Sequence, residues 1–142
     1  MGANGQAFSG ANIDYAARAI FAESSGAATE DVAMASVIYN RLDNPSFPNL
    51  TTGQLATTLT AVVNQPKQFN AVTPPGPNQQ FINSQPGMYQ NLSPADCANL
   101  TKAIVSMAAT VTLGPTYTFT MFAANTMGYT GTQFGGTTFW GP

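Results

Sequence analysis

Charged side chains are scarce in this chain of 142 residues. Lysine, arginine, aspartate and glutamate make up 7% of it, whereas about 25% is usual in a soluble domain. The four basic residues are too few to neutralise a run of phosphates, so we expect no nucleic-acid partner. The length indicates one domain that is large enough to bury a core.

Histidine is absent, and there is one cysteine, Cys97. Ser-His-Asp triads, Cys-His pairs and HExxH zinc sites are therefore excluded, and so is an internal disulfide. Cys97 lies one turn into a predicted helix, where we expect it to be buried or half-buried. No glycine-rich phosphate-binding loop is present. We accordingly expect no cofactor and no metal.

Targeting signals and long apolar runs are also missing. Residues 1–6 have neither a basic n-region nor an apolar h-region, so no secretory signal peptide is predicted. No apolar run reaches the about 18 residues that span a membrane, and we expect no membrane insertion. Residues 1–11, rich in small and polar side chains, predict a flexible N-terminal arm. Residues 12–142 are then the functional domain.

Two helices are predicted in the first third of the chain. The first begins at Asn12 as N-cap, ends near Ser24 and carries one apolar stripe. The second runs from Thr29, its predicted cap, to Leu42. It is apolar nearly all round, which is typical of a helix buried in the middle of a domain.

The second half predicts a third helix and a small sheet. The helix begins at Ser93-Pro94, where Asp96 can complete a capping box, and ends at Gly114. Residues 117–122 alternate as in a strand, and residues 137–140 suggest a second one. Residues 51–63 are ambiguous, and residues 65–90 indicate a long ordered loop. The predicted fold class is α+β, mainly α, with a small β-sheet toward the C-terminus.

Glu23 is the strongest candidate for acid–base chemistry. It lies in the last helical turn, where the negative end of the helix dipole disfavours an ionised carboxyl. It also borders the apolar stripe, so desolvation raises its pKa. Such a carboxyl can stay protonated near neutral pH and act as a general acid. The competing interpretation is a surface glutamate at a frayed helix end.

The other carboxyl groups have simpler structural explanations. Helix capping or the helix dipole accounts for four of them: Asp14, Glu30, Asp31 and Asp96. Asp43 follows a helix end and suits a turn. The aromatic residues of the long loop, Phe69 among them, either form a sugar-stacking cleft or anchor the loop. Tyr129, in the glycine-rich tail, fits a carbohydrate groove or an ordinary core.

Four blocks of sequence resemble one known family. The segment ARAIFAESSG, residues 17–26, resembles the AR-x-I-Y/F-AE-x-x-G signature of the SleB-type cell wall hydrolases, the spore cortex-lytic enzyme family. Three further blocks follow in the family's order: residues 32–42 (VA-x-A-V-I-x-NR), 45–49 (P-x-FPN) and 63–72 (V-x-x-QP-x-QF-S-x-V). Residues 135–140 resemble its closing G-x-H-x-F-Y strand more weakly, with Thr137 where histidine is usual.

The resemblance implies a lysozyme-like fold and cleavage of peptidoglycan glycan strands between N-acetylmuramic acid and N-acetylglucosamine. Family members are typically lytic transglycosylases, which leave 1,6-anhydromuramyl ends, and the family's general acid/base falls on Glu23. An ordinary glycosidase needs two carboxyl groups, whereas this route needs one, which suits a chain poor in carboxylates. We expect Gln68, Phe69 and Tyr129 to contact substrate, and Asn40 and Arg41 to brace the structure.

Alternative functions are a hydrolysing muramidase and a catalytically idle module, either carbohydrate-binding or structural, that retains the fold. In each case the expected partner is the peptidoglycan glycan strand, and the site of action is the bacterial cell wall, outside the cytoplasm or in the periplasm. Spore germination, phage lysis and antibacterial effector delivery all use such domains. An effector would imply an immunity protein as a further partner.

Overall fold

The order of helices and strands follows from a computed structural model, which describes residues 7–66, 68–73 and 77–142. Among these residues, five α-helices with described bounds come first and three strands follow. The helices are α1 (Gly10–Glu23), α2 (Ala28–Asn40), α3 (Leu59–Val63), α4 (Gln79–Asn83) and α5 (Pro94–Leu113). The strands are β1 (Met121–Ala124), β2 (Thr132–Phe134) and β3 (Thr137–Trp140). The predicted mainly helical α+β class, with a small sheet near the C-terminus, is confirmed.

Helix α1 begins earlier than predicted, because Ser9 rather than Asn12 is its N-cap. The Ser9 hydroxyl accepts a hydrogen bond from the backbone N–H of Asn12 at 3.2 Å, which satisfies one of the free donors of the first turn. The expected arm over residues 1–11 is therefore too long. Residues 1–6 lie outside the described residues, but Ala7 is buried and residues 10 and 11 are helical.

Helix α2 lies in the core, as its apolar sequence predicted. It begins at Ala28, without the side-chain cap expected from Thr29. Helix α5 packs against both α1 and α2. The largest fully buried side chains include Ile20 from α1, Phe69 from the loop after α3 and Phe139 from β3, so the sheet shares the core with the helices.

The capping box of α5 is confirmed. Ser93 Oγ accepts from the N–H of Asp96 at 3.0 Å, and the N–H of Ser93 donates to the Asp96 carboxyl at 3.4 Å. The helix ends at Gly114, whose φ of 89° suits glycine. Cys97 is exposed, contrary to expectation. The N-cap Ser93 and the first two residues of α5, Pro94 and Ala95, are exposed as well, so this helix end lies outside the core.

The sheet is antiparallel, with strand order β1–β3–β2. Strand β3 matches the predicted residues 137–140, whereas β2 was not predicted. The strand predicted over residues 117–122 was wrong for its first four residues, because β1 begins at Met121. The side-chain amide of Asn40 donates to the carbonyls of Tyr117 and Phe119, each at 2.9 Å. The Asn40 side chain from α2 thus bonds to carbonyls that could otherwise accept hydrogen bonds from a neighbouring strand.

The middle of the chain is more helical than predicted. Within the ambiguous residues 51–63, α3 forms with Thr58 as its N-cap. Within residues 65–90, α4 and a 3₁₀ turn, Tyr89–Asn91, interrupt the expected loop, while residues 67 and 74–76 lie outside the described ranges. Among the helices described, none combines the length and apolar character needed to cross a membrane.

Candidate active site

Glu23 is the last residue of α1, and its side chain is half-buried. The backbone N–H of Ala71 donates to its Oε1 at 2.8 Å. Burial raises the pKa of the Glu23 carboxyl above its ordinary value, and the hydrogen bond from Ala71 opposes part of that rise. The carboxyl is therefore held in place at one oxygen and biased toward its protonated form.

The second oxygen of Glu23, Oε2, accepts no hydrogen bond from any described residue. No described cation forms a salt bridge with this carboxyl either. The one salt bridge among the described residues joins Arg18 to Asp14, at 2.8 Å. A carboxyl that is fixed by one bond, unpaired and partly exposed can deliver a proton to a ligand.

The loop that holds Glu23 is anchored by Phe69. The Phe69 side chain is fully buried, and its ring centroid lies 5.1 Å from that of Phe122 in β1. The expectation that Phe69 contacts substrate is therefore wrong for its ring, which has no surface left for a sugar. The buried Phe69 ring instead fixes the loop backbone two residues before Ala71, whose N–H donates to Glu23.

The other two candidate substrate contacts lie in different places. Gln68 is half-buried and adjoins Phe69 in the loop that reaches Glu23. Tyr129 is 51% exposed and stacks on Trp140, with ring centroids 4.7 Å apart. No hydrogen bond or ring contact among the described residues joins Tyr129 to Glu23 or Gln68. Glu23, at the end of α1, thus binds the loop that carries Gln68, whereas Tyr129 lies beside the end of β3.

Glu30 has a larger role than the helix-dipole explanation suggested. Its side chain is fully buried in the first turn of α2. Oε1 accepts from the Ser25 N–H at 2.8 Å, from the Ser25 hydroxyl at 2.6 Å and from the Ser24 hydroxyl at 3.1 Å. Oε2 accepts from the Thr137 hydroxyl at 2.5 Å. This carboxyl joins the end of α1, the start of α2 and the start of β3.

The turn between β2 and β3 packs closely on the same carboxyl. A Cβ on Gly135 would lie 2.6 Å from Glu30 Oε1 and 2.7 Å from Ser25 Oγ, and Gly135 has a φ of +56°. The sequence signals for this cluster were Ser24-Ser25 directly after the candidate acid, and threonine at position 137. Neither indicates a buried carboxyl by itself, since the partners are far apart in the chain.

Asp31 is the third unusual carboxyl in this region. It is 1% exposed, and neither oxygen accepts a hydrogen bond from a described residue. Desolvation by burial raises its pKa from 3.8 to about 6, reinforced by the charge of Glu30. The nearby Ser24 hydroxyl, which donates to Glu30, and the charge of Lys102 oppose this rise. Asp31 is buried, so it is not positioned to meet a polymeric substrate.

The bracing role expected of Asn40 and Arg41 is confirmed. Besides the Asn40 contacts, Arg41 Nε donates to the Thr120 carbonyl at 2.7 Å, and its guanidinium lies 4.7 Å from the centroid of the Phe47 ring. Burial lowers the pKa of Arg41 to about 10, which leaves it charged at neutral pH. Together these side chains attach the end of α2 to the segment before β1.

Comparisons with known proteins return no match: none of the family models, curated proteins or solved structures matches this chain. The resemblance to SleB-type cell wall hydrolases therefore depends on the motif residues themselves. Within the described ranges, no group of three or more acidic or cysteine side chains is arranged to hold a metal ion.

Proposed function

We propose that this protein cleaves peptidoglycan glycan strands as a lytic transglycosylase with a lysozyme-like fold. The proposed bond lies between N-acetylmuramic acid and N-acetylglucosamine, and the product carries a 1,6-anhydromuramyl end. The proposal combines the motif resemblance to SleB-type hydrolases with the surroundings of Glu23, the residue on which the family's catalytic glutamate falls.

The observation that carries the proposal is the state of the Glu23 carboxyl. Its pKa is raised by burial, Oε1 is held by the Ala71 N–H, and Oε2 has no partner among the described residues. A general acid for a glycosidic oxygen must be protonated at working pH and must have a free oxygen that faces the ligand. The raised pKa of Glu23 favours the first requirement, and its Oε2 is available for the second.

One carboxyl is enough for the proposed reaction. Protonated Glu23 gives its proton to the bridging oxygen as the bond from that oxygen to C1 of N-acetylmuramic acid breaks, and positive charge develops at C1. The resulting Glu23 carboxylate then takes the proton of the sugar's C6 hydroxyl, and O6 bonds to C1. Glu23 ends protonated, as it began, and no water is consumed.

The surroundings of Glu30 favour this route over hydrolysis. A hydrolysing glycosidase needs a second carboxylate, either as a nucleophile or to activate water. Glu30 is fully buried and accepts four hydrogen bonds from Ser24, Ser25 and Thr137. It is therefore occupied in holding the structure together, which leaves Glu23 to perform both proton transfers.

The proposed partner is the glycan strand, and the proposed place of action is the bacterial cell wall, outside the cytoplasm. Gln68, on the loop that holds Glu23, and the exposed ring of Tyr129 remain proposed substrate contacts. If the protein is an exported antibacterial effector, we propose an immunity protein as a second partner.

The test is digestion of purified peptidoglycan followed by mass spectrometry of the released fragments. We expect the wild type to release anhydromuramyl fragments and Glu23→Gln to lose activity by at least about a hundredfold, as loss of a general acid does. Asp43→Asn is the matched control, because it makes the same carboxylate-to-amide change at an exposed position. Asparagine also tolerates the φ of 51° found there.

Three results would count against the proposal. Full activity in Glu23→Gln would show that Glu23 is not the general acid. Release of fragments with new reducing ends would mean that the protein hydrolyses the glycosidic bond and is not a transglycosylase. Binding to peptidoglycan without any released fragment would favour a non-catalytic carbohydrate-binding module.

A further inference from the structure

We propose that a cavity beside the last turn of α2 binds the side chain of an arginine that a partner polypeptide presents. The cavity has a volume of about 180 Å³. Pockets for drug-sized ligands measure about 300–1,000 Å³, so this one suits a single side chain. Its lining combines two aromatic rings, apolar side chains, a hydroxyl and one carboxylate: Ala7, Phe8, Tyr39, Leu42, Asp43 and Thr57.

The cavity lies at the opposite end of α1 from Glu23. Its residues Ala7 and Phe8 come just before α1, whereas Glu23 is the last residue of that helix. Because α1 has 14 residues, it is about 21 Å long. A ligand in this cavity would therefore leave the candidate active site free, and the inference does not depend on the proposed function.

The Asp43 carboxylate is exposed and has no partner among the described residues. The backbone of Asp43 is fixed, because its N–H donates to the Ala56 carbonyl at 2.8 Å. The described cations bind other groups: Arg18 binds Asp14, Arg41 the Thr120 carbonyl and Lys102 the Gly26 carbonyl. Both oxygens of the Asp43 carboxylate are therefore available, and a guanidinium can bind two carboxylate oxygens at once.

Two aromatic rings form the apolar part of the cavity. Phe8 and Tyr39 are half-buried, and their rings stack with centroids 5.6 Å apart and an angle of 11° between the planes. Ring faces attract cations within about 6 Å of the centroid, and a planar guanidinium stacks on them. The methylenes of the arginine stem can pack on Leu42 and Ala7, which complete the apolar lining.

The position of the cavity at the end of α2 also favours a cation. Helix α2 ends at Asn40, three residues before Asp43, and no basic residue lies in its last turn. The negative end of a helix dipole stabilises positive charge. The guanidinium of the neighbouring Arg41 contacts the Thr120 carbonyl and the Phe47 ring, and it forms no salt bridge with Asp43.

This set of groups fits arginine better than lysine. A guanidinium has five N–H donors in one plane. Two of them can meet the Asp43 carboxylate, and a third can meet the hydroxyl of Thr57, which is exposed and forms no hydrogen bond with a described residue. The compact ammonium of lysine cannot bind both oxygens side by side and stack on a ring as well.

The test is an NMR titration of ¹⁵N-labelled protein with acetyl-arginine methylamide at millimolar concentrations. The matched ligand is acetyl-citrulline methylamide, which has the same shape but a neutral urea group in place of the guanidinium. We expect amide shifts in residues 39–43 and at Thr57 with the arginine compound, and at least about fivefold weaker binding of the citrulline compound. Equal binding of both compounds, or no shift in these residues, overturns the proposal.

Two further ligands test the choice of group and of source. The lysine analogue, acetyl-lysine methylamide, should bind more weakly than the arginine compound. Propylguanidinium carries the same charged group without a peptide backbone, and it should bind no more tightly than the arginine compound. Tighter binding of either ligand would overturn the assignment to an arginine of a polypeptide.

Variants locate the binding in the cavity. Asp43→Asn should weaken binding of the arginine compound about threefold to fivefold, the effect of one lost exposed ion pair. Phe8→Leu should weaken it to a similar extent, about threefold, by removing one ring. Glu23→Gln is the matched control, because it makes the same carboxylate-to-amide change at the other end of α1, and we expect its binding to be unchanged.

Thermal unfolding of each variant confirms that it folds. If Asp43→Asn binds the arginine compound as the wild type does, or if Glu23→Gln weakens binding equally, the inference is wrong. The titration contains no peptidoglycan, so its outcome is separate from that of the proposed function.

Discussion

Three carboxyl groups near the junction of α1 and α2 differ in their surroundings, and these differences decide what each can do. Glu23 accepts one hydrogen bond, Glu30 accepts four, and Asp31 accepts none from the described residues. Hydrogen bonds stabilise a carboxylate, and burial without them disfavours it. Glu30 is therefore a structural acceptor, while Glu23 and Asp31 have raised pKa values.

Asp31→Asn should change how stability depends on pH. Folding raises the Asp31 pKa from 3.8 to about 6. Below about pH 4 the Asp31 carboxyl is protonated in the folded and in the unfolded protein. As the pH rises to about 6, the carboxyl ionises more readily in the unfolded chain, which lowers the free energy of unfolding by about 3 kcal/mol at most. Asparagine cannot ionise. The free energy of unfolding of the variant relative to the wild type should therefore rise between about pH 4 and about pH 7.

Urea unfolding at several pH values measures this difference. A constant difference between Asp31→Asn and the wild type across that range would contradict the argument, whatever its sign.

Gly135→Ala should destabilise the protein by about 1–3 kcal/mol, from a positive φ and a close contact together. The new Cβ would lie 2.6 Å from the buried Glu30 carboxyl. Gly136→Ala is the matched control, because a Cβ there would meet nothing within 4 Å. Chemical denaturation of both variants measures the difference, and equal stabilities would show that the β2–β3 turn is not fixed by the Glu30 cluster.

Helix ends are the elements that local sequence predicted best, although not in every case. The Ser93, Pro94 and Asp96 pattern located the start of α5, because all the capping partners lie within four consecutive residues. At α1, Ser9 caps the helix although Asn12 was predicted to do so. Both residue types are good caps, so local preference did not separate them.

Ser93→Ala should lower the free energy of unfolding by about 1 kcal/mol, the usual effect of removing a serine cap. Ser93→Asp should restore most of the loss, since its carboxyl can accept the same N–H of Asp96. Ser46→Ala serves as the control, because Ser46 is exposed and its side chain forms no hydrogen bond with described residues. If Ser93→Ala and Ser46→Ala unfold at the same urea concentration, the capping box contributes nothing measurable.

At the scale of the whole molecule, the described residues are held by apolar packing and hydrogen bonds, with few ion pairs. Among the described residues, the one salt bridge is Arg18–Asp14, and Asp14 is 42% exposed. The buried cation Arg41 is held by carbonyl, sulfur and ring contacts instead of a carboxylate. A fold held together in this way should respond little to ionic screening.

Raising sodium chloride from about 0.05 M to about 0.5 M should therefore change the free energy of unfolding by less than about 0.5 kcal/mol. Urea unfolding at the two salt concentrations, at constant pH, tests this. A change larger than about 1 kcal/mol would mean that charge interactions contribute more than the contacts of these few charged residues suggest.

The sequence by itself determined the mainly helical class, the buried character of α2, the start of α5 and the choice of Glu23 as candidate acid. These features depend on composition, helical periodicity and partners that are close in the chain. Only the tertiary structure decided that Phe69 is a core anchor, that residues 117–120 are braced by α2 instead of forming a strand, and that Glu30 joins three elements. Each depends on groups that are many residues apart, as Glu30 and Thr137 are, and local pattern has no information about which distant donor or ring will be brought into contact.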